Sequence, residues 1–316
     1  MGPMSMFPSF PHSITFEESR ELKIIATPVD DSAEIYTITH NRQEYGVMKT
    51  EDATISATIQ LVAAADGVDL GADQVVVPIS YPLRFGWKTK EVYVNGDLIN
   101  PTSTHESDLE YVNYLLTQTP TGYKDNRVNL HDAGGGLVNS GGHKRWLAYS
   151  QSGEVICGDH LDILGHNKRY VPSSYDMKIV LHRLEKTKFL FGTTQHCTDA
   201  KVLIKNLKLT IPMMKPVQQL SDAINDIMIQ KAEECKFYVT HYRFAAKPLA
   251  IGAQYVQFSD IFDGTQPTRM ICYQKSQTRY NGHHQHNHNR LISIILWSKS
   301  TRLMSYRPSA MPKSRI

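Results

Sequence analysis

The sequence predicts an all-β dominated protein with a few short helices, in which antiparallel strands form sandwich or barrel-like sheets in two tandem copies. Two observations predict this class. Short segments of alternating apolar and polar residues, rich in β-branched and aromatic side chains, recur between residues 34 and 244. Strands and helices do not alternate as they do in βαβ units, so a parallel doubly wound sheet is not expected.

Composition and cysteine usage narrow the class of protein. The chain has 316 residues, 41% of them hydrophobic and 21% charged, which suits two ordinary domains or one large one. No apolar run approaches the roughly 18 residues of a membrane helix, and residues 1–10 lack the basic flank of a secretory signal. No CxxC pair is present, so we expect buried, reduced thiols at the four cysteines, Cys157, Cys197, Cys235 and Cys272.

The first half contains a predicted hairpin. Alternation predicts strands at 34–39 and 54–62, with a turn at Asp66-Gly67 after the second. Prolines at 78 and 82 keep residues 79–87 from forming one regular helix. Residues 90–94 and 97–99 then flank Asn95-Gly96, a pair that tolerates the positive φ angles of a type I′ turn.

A helix is predicted over residues 104–118, capped by Thr104 or Ser107 and ended by Pro120. Its apolar stripe consists of Leu109, Val112, Leu115 and Leu116, widened by Tyr111 and Tyr114. Residues 122–142 are polar and glycine-rich, which is typical of a long loop or a domain junction.

The second half repeats this style. Strands are predicted at 154–157, 161–164, 177–184, 202–211 and 237–244. In the fourth of these, two alternating phases join at Asn206, which indicates a bulge. Pro216 is predicted to open a helix that continues to about Cys235.

Histidines and carboxylates do not assemble into a recognisable catalytic motif. His283, His284, His286 and His288 lie in an Asn/Gln-rich tract without a nearby carboxylate, which predicts an adventitious metal contact or none. In a strand, Asp159 and His160 would point to opposite faces, so Asp159–Asp162 is interpreted as a polar surface strand. Gly134–Gly136 lacks the spacing of a phosphate loop. We therefore predict no enzyme activity, no cofactor and no metal site.

Charge is distributed unevenly. After Asp263 the chain has nine basic and no acidic residues, whereas residues 1–263 carry 25 basic against 31 acidic residues, a net charge of −6. A basic tail of this kind could contact nucleic acid, or it could equally be solvated and disordered. The candidate contacts with nucleic acid or a partner are Lys144, Arg145, Arg290, Lys299 and Arg302.

Several segments together resemble a known family. They are 34–45, the hairpin Val92-Tyr93-Val94-Asn95-Gly96-Asp97-Leu98-Ile99, the helix segment 109–116, the loop 122–125, the basic run 143–146, and segments 158–162, 177–183 and 261–269. In order and pattern they resemble the double jelly-roll capsid proteins of the adenovirus-like and tailless-phage lineage. They are most similar to metazoan proteins derived from Polinton/Maverick-type or adintovirus-like elements.

The resemblance implies a domain organisation and a structural role. It implies a first jelly roll at 21–150 and a second at 151–272, which is incomplete here. Prolines at 3, 8 and 11 predict an extended N-terminal arm at 1–20, and the composition of 273–316 predicts a basic, His/Asn-containing, disordered tail. The sequence departs from the family's pattern after Arg269, where further strands of the second jelly roll are expected. The missing strands would leave sheet edges exposed.

The implied function is a structural capsid protein that forms trimeric, pseudo-hexameric capsomers in a virion, with self-association as its main interaction. The alternative is a degenerate or domesticated β-sandwich binding module in the cytoplasm or nucleus, with no particle. A cupin-like metalloenzyme would need histidines on facing strands, and His160, His166 and His182 are too scattered for that.

Overall fold

The computed structural model describes residues 16–43, 46–70, 74, 76–99, 103–117, 149, 154–164, 170–225, 242, 244–248, 269–273 and 294–298. The chain divides into two compact units, one of residues 1–242 with 278–289 and the other of residues 243–277 with 290–316. Strands dominate and all of their pairings are antiparallel, so the predicted all-β class with a few short helices is confirmed.

The strands are β1 (Phe16–Ile25), β2 (Ile35–His40), β3 (Val47–Met48), β4 (Thr54–Ala63), β5 (Val76–Pro78), β6 (Trp87–Val94), β7 (Asp97–Leu98), β8 (Glu154–His160), β9 (Val171–Pro172), β10 (Met177–Arg183), β11 (Leu190–Gly192), β12 (Ala200–Pro216), β13 (Arg269–Tyr273) and β14 (Ile294–Ser298). The helices are α1 (Pro82–Phe85), α2 (Glu106–Thr117), α3 (Lys186–Phe189), α4 (Thr194–Asp199) and α5 (Gln218–Asn225). A 3-10 turn spans Thr50–Asp52.

Two sheets form the body of the first unit. The larger has the order β8-β4-β12-β3-β9, with β1 also pairing with β12. The smaller has the order β2-β10-β6-β7. A short pair, β5 with β11, lies in the same unit, and β13 pairs with β14 in the second unit.

The core comes from one face of each large sheet. In β4, alternate residues such as Ile55 and Ile59 are buried while their neighbours are partly exposed, and β12 alternates in the same way. In the smaller sheet, Tyr36, Ile179 and Leu181 are buried in the same manner. Burial of alternate apolar side chains on a pleated surface is what the sequence alternation predicts.

The hairpin and the bulge form where the sequence predicts them. Asn95 and Gly96 have φ angles of 51° and 91° between β6 and β7, as a type I′ turn requires. Asn206 has φ 54°, and the pairing of β12 with β4 shifts register between Lys205 and Lys208. The bulge lets both halves of one long strand keep their apolar residues on the core face.

Three local predictions need correction. Residues 161–164 are not a strand, because Leu161 N–H bonds to the carbonyl oxygen of Ala53 and the chain then bends. Pro216 ends β12 instead of opening a helix, and α5 begins at Gln218. On α2, Leu109 is only half-buried, whereas Glu106 and Glu110 are buried beside the tyrosines. The predicted apolar stripe therefore needs correction at Leu109, and the buried face also carries two carboxylates, which meet charged groups from other segments.

The helix α2 begins at Glu106, so neither predicted cap stands directly before it. Ser103 Oγ instead accepts a hydrogen bond of 3.2 Å from the backbone N–H of His105. The carbonyl of His105 accepts the first helical hydrogen bonds, from the N–H groups of Asp108 and Leu109. The helix therefore starts two residues into the segment that the sequence assigned to it.

Pairing between distant segments ties the first unit together. Residues 16–20, the end of the predicted arm, belong to β1 and pair with β12. Strands on both sides of residue 150 pair with each other in both large sheets. The domain boundaries remain predictions, as do the helix beyond residue 225 and most of the predicted strand at 237–244, which lie outside the described residues. Within the described residues, no helix is long and apolar enough to cross a membrane.

Candidate functional site, a buried ionic network

Six charged side chains from five segments meet at one corner of the first unit. We call them the corner network. Within the described part of the chain they gather most of the buried charged side chains. Its members are Arg84 of α1, Lys90 of β6, Glu106 and Glu110 of α2, Asp159 of β8 and Asp162 of the segment after β8.

The backbone places Lys90 in the core. In β6, Lys90 lies opposite Leu181 and shares its face with Val92, and both of these side chains are fully buried. Lys88, two positions before Lys90, is half exposed. It lies where the pairing of β6 with β10 shifts register, since His182 pairs with Thr89 and Arg183 with Trp87. A lysine on an inner face is tolerated only when carboxylates pair with it there.

The helix α2 supplies those carboxylates. Glu106 and Glu110 are four residues apart, so they lie one above the other on the same side of the helix. The ammonium nitrogen Nζ of Lys90 lies 2.8 Å from Glu106 Oε1 and 2.7 Å from Glu110 Oε1. One lysine therefore holds two successive turns of α2 against β6.

The helix α1 adds a second cation. Arg84 is 4% exposed, and its Nε lies 3.4 Å from Glu110 Oε2. The two groups are close enough for an ion pair but are not aligned for a hydrogen bond through Nε. The guanidinium carbon also lies 5.1 Å from the centre of the Tyr114 ring, which is a cation–π distance.

Burial and charge pairing act against each other on the network's pKa values. Burial alone lowers the pKa of Lys90, but the carboxylates of Glu110 and Glu106 outweigh it and hold that pKa above its ordinary value. Burial raises the pKa of Glu106, and Lys90 offsets part of this rise. The lysine therefore remains charged inside the fold.

The carboxyl group of Asp159 is only partly satisfied by hydrogen bonds. Its Oδ1 accepts a 2.7 Å hydrogen bond from the N–H of His160, while its buried Oδ2 has no hydrogen-bond partner among the described residues. Burial raises the pKa of Asp159 to about 6, although Arg84 and the His160 N–H act in the opposite direction. This carboxyl group takes up a proton more easily than an exposed aspartate does.

An aromatic cluster lines the same corner. Phe85 makes edge contacts with Tyr111 and Tyr114, with ring centres 5.5 and 5.6 Å apart. The hydroxyl of Tyr114 donates a 2.6 Å hydrogen bond to the hydroxyl of Tyr81, a residue with a left-handed φ of 50° that precedes α1. These rings exclude water from the ion pairs and so strengthen them.

The chemistry of this corner is that of an ionic lock. Its cations already contact carboxylates, and the neighbouring Cys157 thiol has a pKa raised to about 11 by burial, so it is a poor nucleophile. Among the described residues, no group of three or more histidine, cysteine or acidic side chains could hold a metal ion. The arrangement fixes α1, α2, β6 and β8 relative to one another.

The sequence-based site predictions have mixed outcomes. Lys144, Arg145, Arg290, Lys299, Arg302 and the histidine tract lie outside the described residues and remain predictions. The interpretation of Asp159–Asp162 as a polar surface strand was wrong, because Asp162 is 6% exposed and both aspartates belong to the corner network. Cys157 and Cys197 are buried free thiols, as predicted, whereas Cys272 is exposed and Cys235 is not described.

Sequence reasoning missed the corner network, although a signal for it was present. Lys90 shares the strand face of Val92 and Val94, and Glu106 shares the helix face of Glu110. Opposite charges at core-facing positions of neighbouring elements are the pattern that indicates a buried ion pair.

Comparisons with known proteins give similarity only at the level of solved structures. No protein-family model matches the chain, and no curated protein matches it. The Sputnik virophage structure is similar over 68% of this chain and 51% of its own, with 9% identity and a TM-score of 0.45. The Faustovirus major capsid protein is similar over 72% of this chain and 59% of its own, with 10% identity and a TM-score of 0.36. The mavirus major capsid protein is similar over 86% of this chain and 53% of its own, with 12% identity and a TM-score of 0.32. The chain spans little more than half the length of these proteins.

Proposed function

We propose that this chain is a capsid-type structural protein that self-associates into trimeric, pseudo-hexameric capsomers of a virus or virus-like element. It acts through packing and not through catalysis. If the element is viral, the chain belongs in the virion.

One observation carries this proposal. The segments that resemble the capsid family lie far apart in the sequence, yet β2, β10 and the β6–β7 hairpin are consecutive strands of one sheet. The corner network joins two further segments of the resemblance, α2 and residues 158–162, to that sheet. Five of the eight segments therefore lie together in the first unit, which supports the resemblance. Segments 122–125 and 143–146 and residues 261–268 lie outside the described part of the chain.

The interactions in that region suit a building block. The charged groups of the corner are directed at one another, and the surrounding rings pack edge to face. Such a lock stiffens the unit that carries it, because any displacement of α2 separates buried opposite charges. Rigid subunits lose less conformational entropy when they associate.

The molar mass of the full chain in solution tests this proposal. Light scattering after size-exclusion chromatography should give three times 35.8 kDa, about 107 kDa, or larger shells, unchanged over about a hundredfold range of concentration. Electron micrographs of the same fraction should show particles with a hexagonal outline. A well-folded monomer at every concentration would contradict self-assembly and favour the binding-module alternative.

We further propose that Lys144, Arg145, Arg290, Lys299 and Arg302 make nonspecific phosphate contacts. The excess of nine basic residues after Asp263 supports this for Arg290, Lys299 and Arg302. Binding of a single-stranded oligonucleotide should weaken as salt rises, and replacing Arg290, Lys299 and Arg302 by Ala should reduce the salt dependence. Replacing the body residues Lys23, Lys88 and Lys188 instead is the control. Equal losses in the two triple variants would contradict a role for the tail.

A further inference from the structure

We propose that the corner network is a proton-operated latch in which Asp159 takes up the proton. Uptake tightens the packing of α1, α2 and β8, and release loosens it. The inference concerns a single chain and does not depend on capsomer assembly.

The first argument is the balance of charge. The corner network holds two cations, Arg84 and Lys90, against four carboxyl groups. Lys90 contacts the carboxylates of Glu106 and Glu110, and the Nε of Arg84 lies near the latter. With all six of these described members ionised, their own charges sum to −2 in a place shielded from water. One proton removes half of that excess.

The second argument is the position of Asp159. Its Oδ2 is buried without a hydrogen-bond partner among the described residues, so its ionised form leaves an acceptor unsatisfied. The N–H of His160 satisfies only Oδ1. A proton on Oδ2 would remove the cost of burying a negative charge there. Burial accordingly raises the pKa of Asp159, to about 6.

Neighbouring charges act on the pKa of this carboxyl group from several elements, and burial also raises the pKa of Glu106 of α2. Arg84 of α1 favours its ionised form and Glu110 of α2 disfavours it. Lys90 of β6 contacts the glutamates and so does not compensate Asp159 directly. The remaining titratable groups around the corner are Glu106, Asp162, Cys157 and Tyr242, the last two with pKa values raised by burial to about 11 and about 12.

The moving part is α2. It is held to β6 through Lys90 and to α1 through Arg84, and Glu110 contacts both cations. A negative charge on Asp159 repels Glu110 and competes with it for Arg84. Deprotonation therefore weakens the contacts that hold α2, while leaving the pairing of β12 with β4 and β1 untouched.

Amide hydrogen exchange in the full chain tests the latch. After correction for intrinsic exchange, amides of α2 should be protected about tenfold more at about pH 5 than at about pH 8. Amides of β12 should change less and serve as the internal reference. Asp159→Asn should keep α2 protected at both pH values, because the amide carries no charge. Asp97→Asn, at an exposed carboxylate of β7, should behave like the wild type.

Three results would overturn the latch. One is equal α2 protection at the two pH values in the wild type, a measurement that needs no variant. Another is an Asp159→Asn protein that retains the wild-type difference. The third is a change of the same size in α2 and β12, which would indicate global destabilisation. If Asp159→Asn does not fold, the carboxyl carbon resonance of Asp159 in the wild type should titrate near pH 6, and a titration near the ordinary 3.8 would contradict the proposal.

Discussion

The ammonium group of Lys90 on β6 lies 2.7 Å from a carboxylate oxygen of Glu110 on α2, and both side chains are more than nine-tenths removed from solvent. The same ammonium group contacts Glu106 one helical turn earlier. This relationship joins a strand of the core to the longest described helix of the first unit.

Removing the Lys90 charge should destabilise the protein strongly. Lys90→Met leaves two buried carboxylates without their cation, so the free energy of unfolding should fall by about 3–5 kcal/mol. Lys88→Met is the matched control on the same strand, since its ion pair with Glu185 is half exposed and worth under about 1 kcal/mol. Urea unfolding followed by circular dichroism measures both losses. Similar values for the two variants would show that the buried pair contributes no more than a surface pair.

The stability of the protein should depend on Asp159 in a defined pH window. Its folded-state pKa of about 6 exceeds the ordinary 3.8, so the folded chain binds the proton more tightly than the unfolded chain does. The contribution of this group to the free energy of unfolding is therefore full below about pH 4 and is lost as the pH rises to about 6.

The comparison of Asp159→Asn with the wild type isolates that contribution. As the pH rises through this window, the free energy of unfolding of the variant should increase by up to about 3 kcal/mol relative to that of the wild type. One pKa unit corresponds to about 1.4 kcal/mol. Urea midpoints at several pH values measure the difference. A constant difference across the window would refute the assignment.

Gly86 should not tolerate a side chain. Its φ of −79° suits any residue, but a Cβ atom would press on the carbonyl oxygen of Pro82 and the ring of Phe189. We expect Gly86→Ala to lower the free energy of unfolding by about 1–3 kcal/mol, because added volume in a closely packed site forces its neighbours to shift. Gly158→Ala, where nothing lies within 4 Å of the new atom, should be close to neutral in the same thermal unfolding assay.

The hydroxyl groups of Tyr81 and Tyr114 should be energetically coupled. They share a buried 2.6 Å hydrogen bond, so each single change to Phe should lower the free energy of unfolding by about 1–2 kcal/mol. The loss in the double variant should be smaller than the sum of the two single losses by at least about 0.5 kcal/mol. Tyr93→Phe, which loses a half-buried bond to Glu91, provides the comparison. Strict additivity of the Tyr81 and Tyr114 changes would contradict a direct interaction.

Local patterns in the sequence were sufficient to predict much of the local structure. Alternation located β2, β4 and β10, because a strand with one buried face must alternate. Asn95-Gly96 located the hairpin, and the change of phase at Asn206 located the bulge, because both depend on backbone angles that few residues adopt.

The pairing partners and the corner network depend on tertiary structure. The pairing of β12 with both β1 and β4 joins segments that are more than 130 residues apart, and alternation is the same whichever strand lies alongside. Alternation places Lys90 on the same strand face as Val92, but the stripe predicted for α2 included Leu109 and not Glu110, and only the tertiary structure shows that Glu110 is buried. By itself, then, the sequence determined which residues share a face, because this follows from backbone geometry. The tertiary structure alone decided which faces meet, and the burial of Lys90 follows from that meeting, since an unpaired charge would not have remained inside.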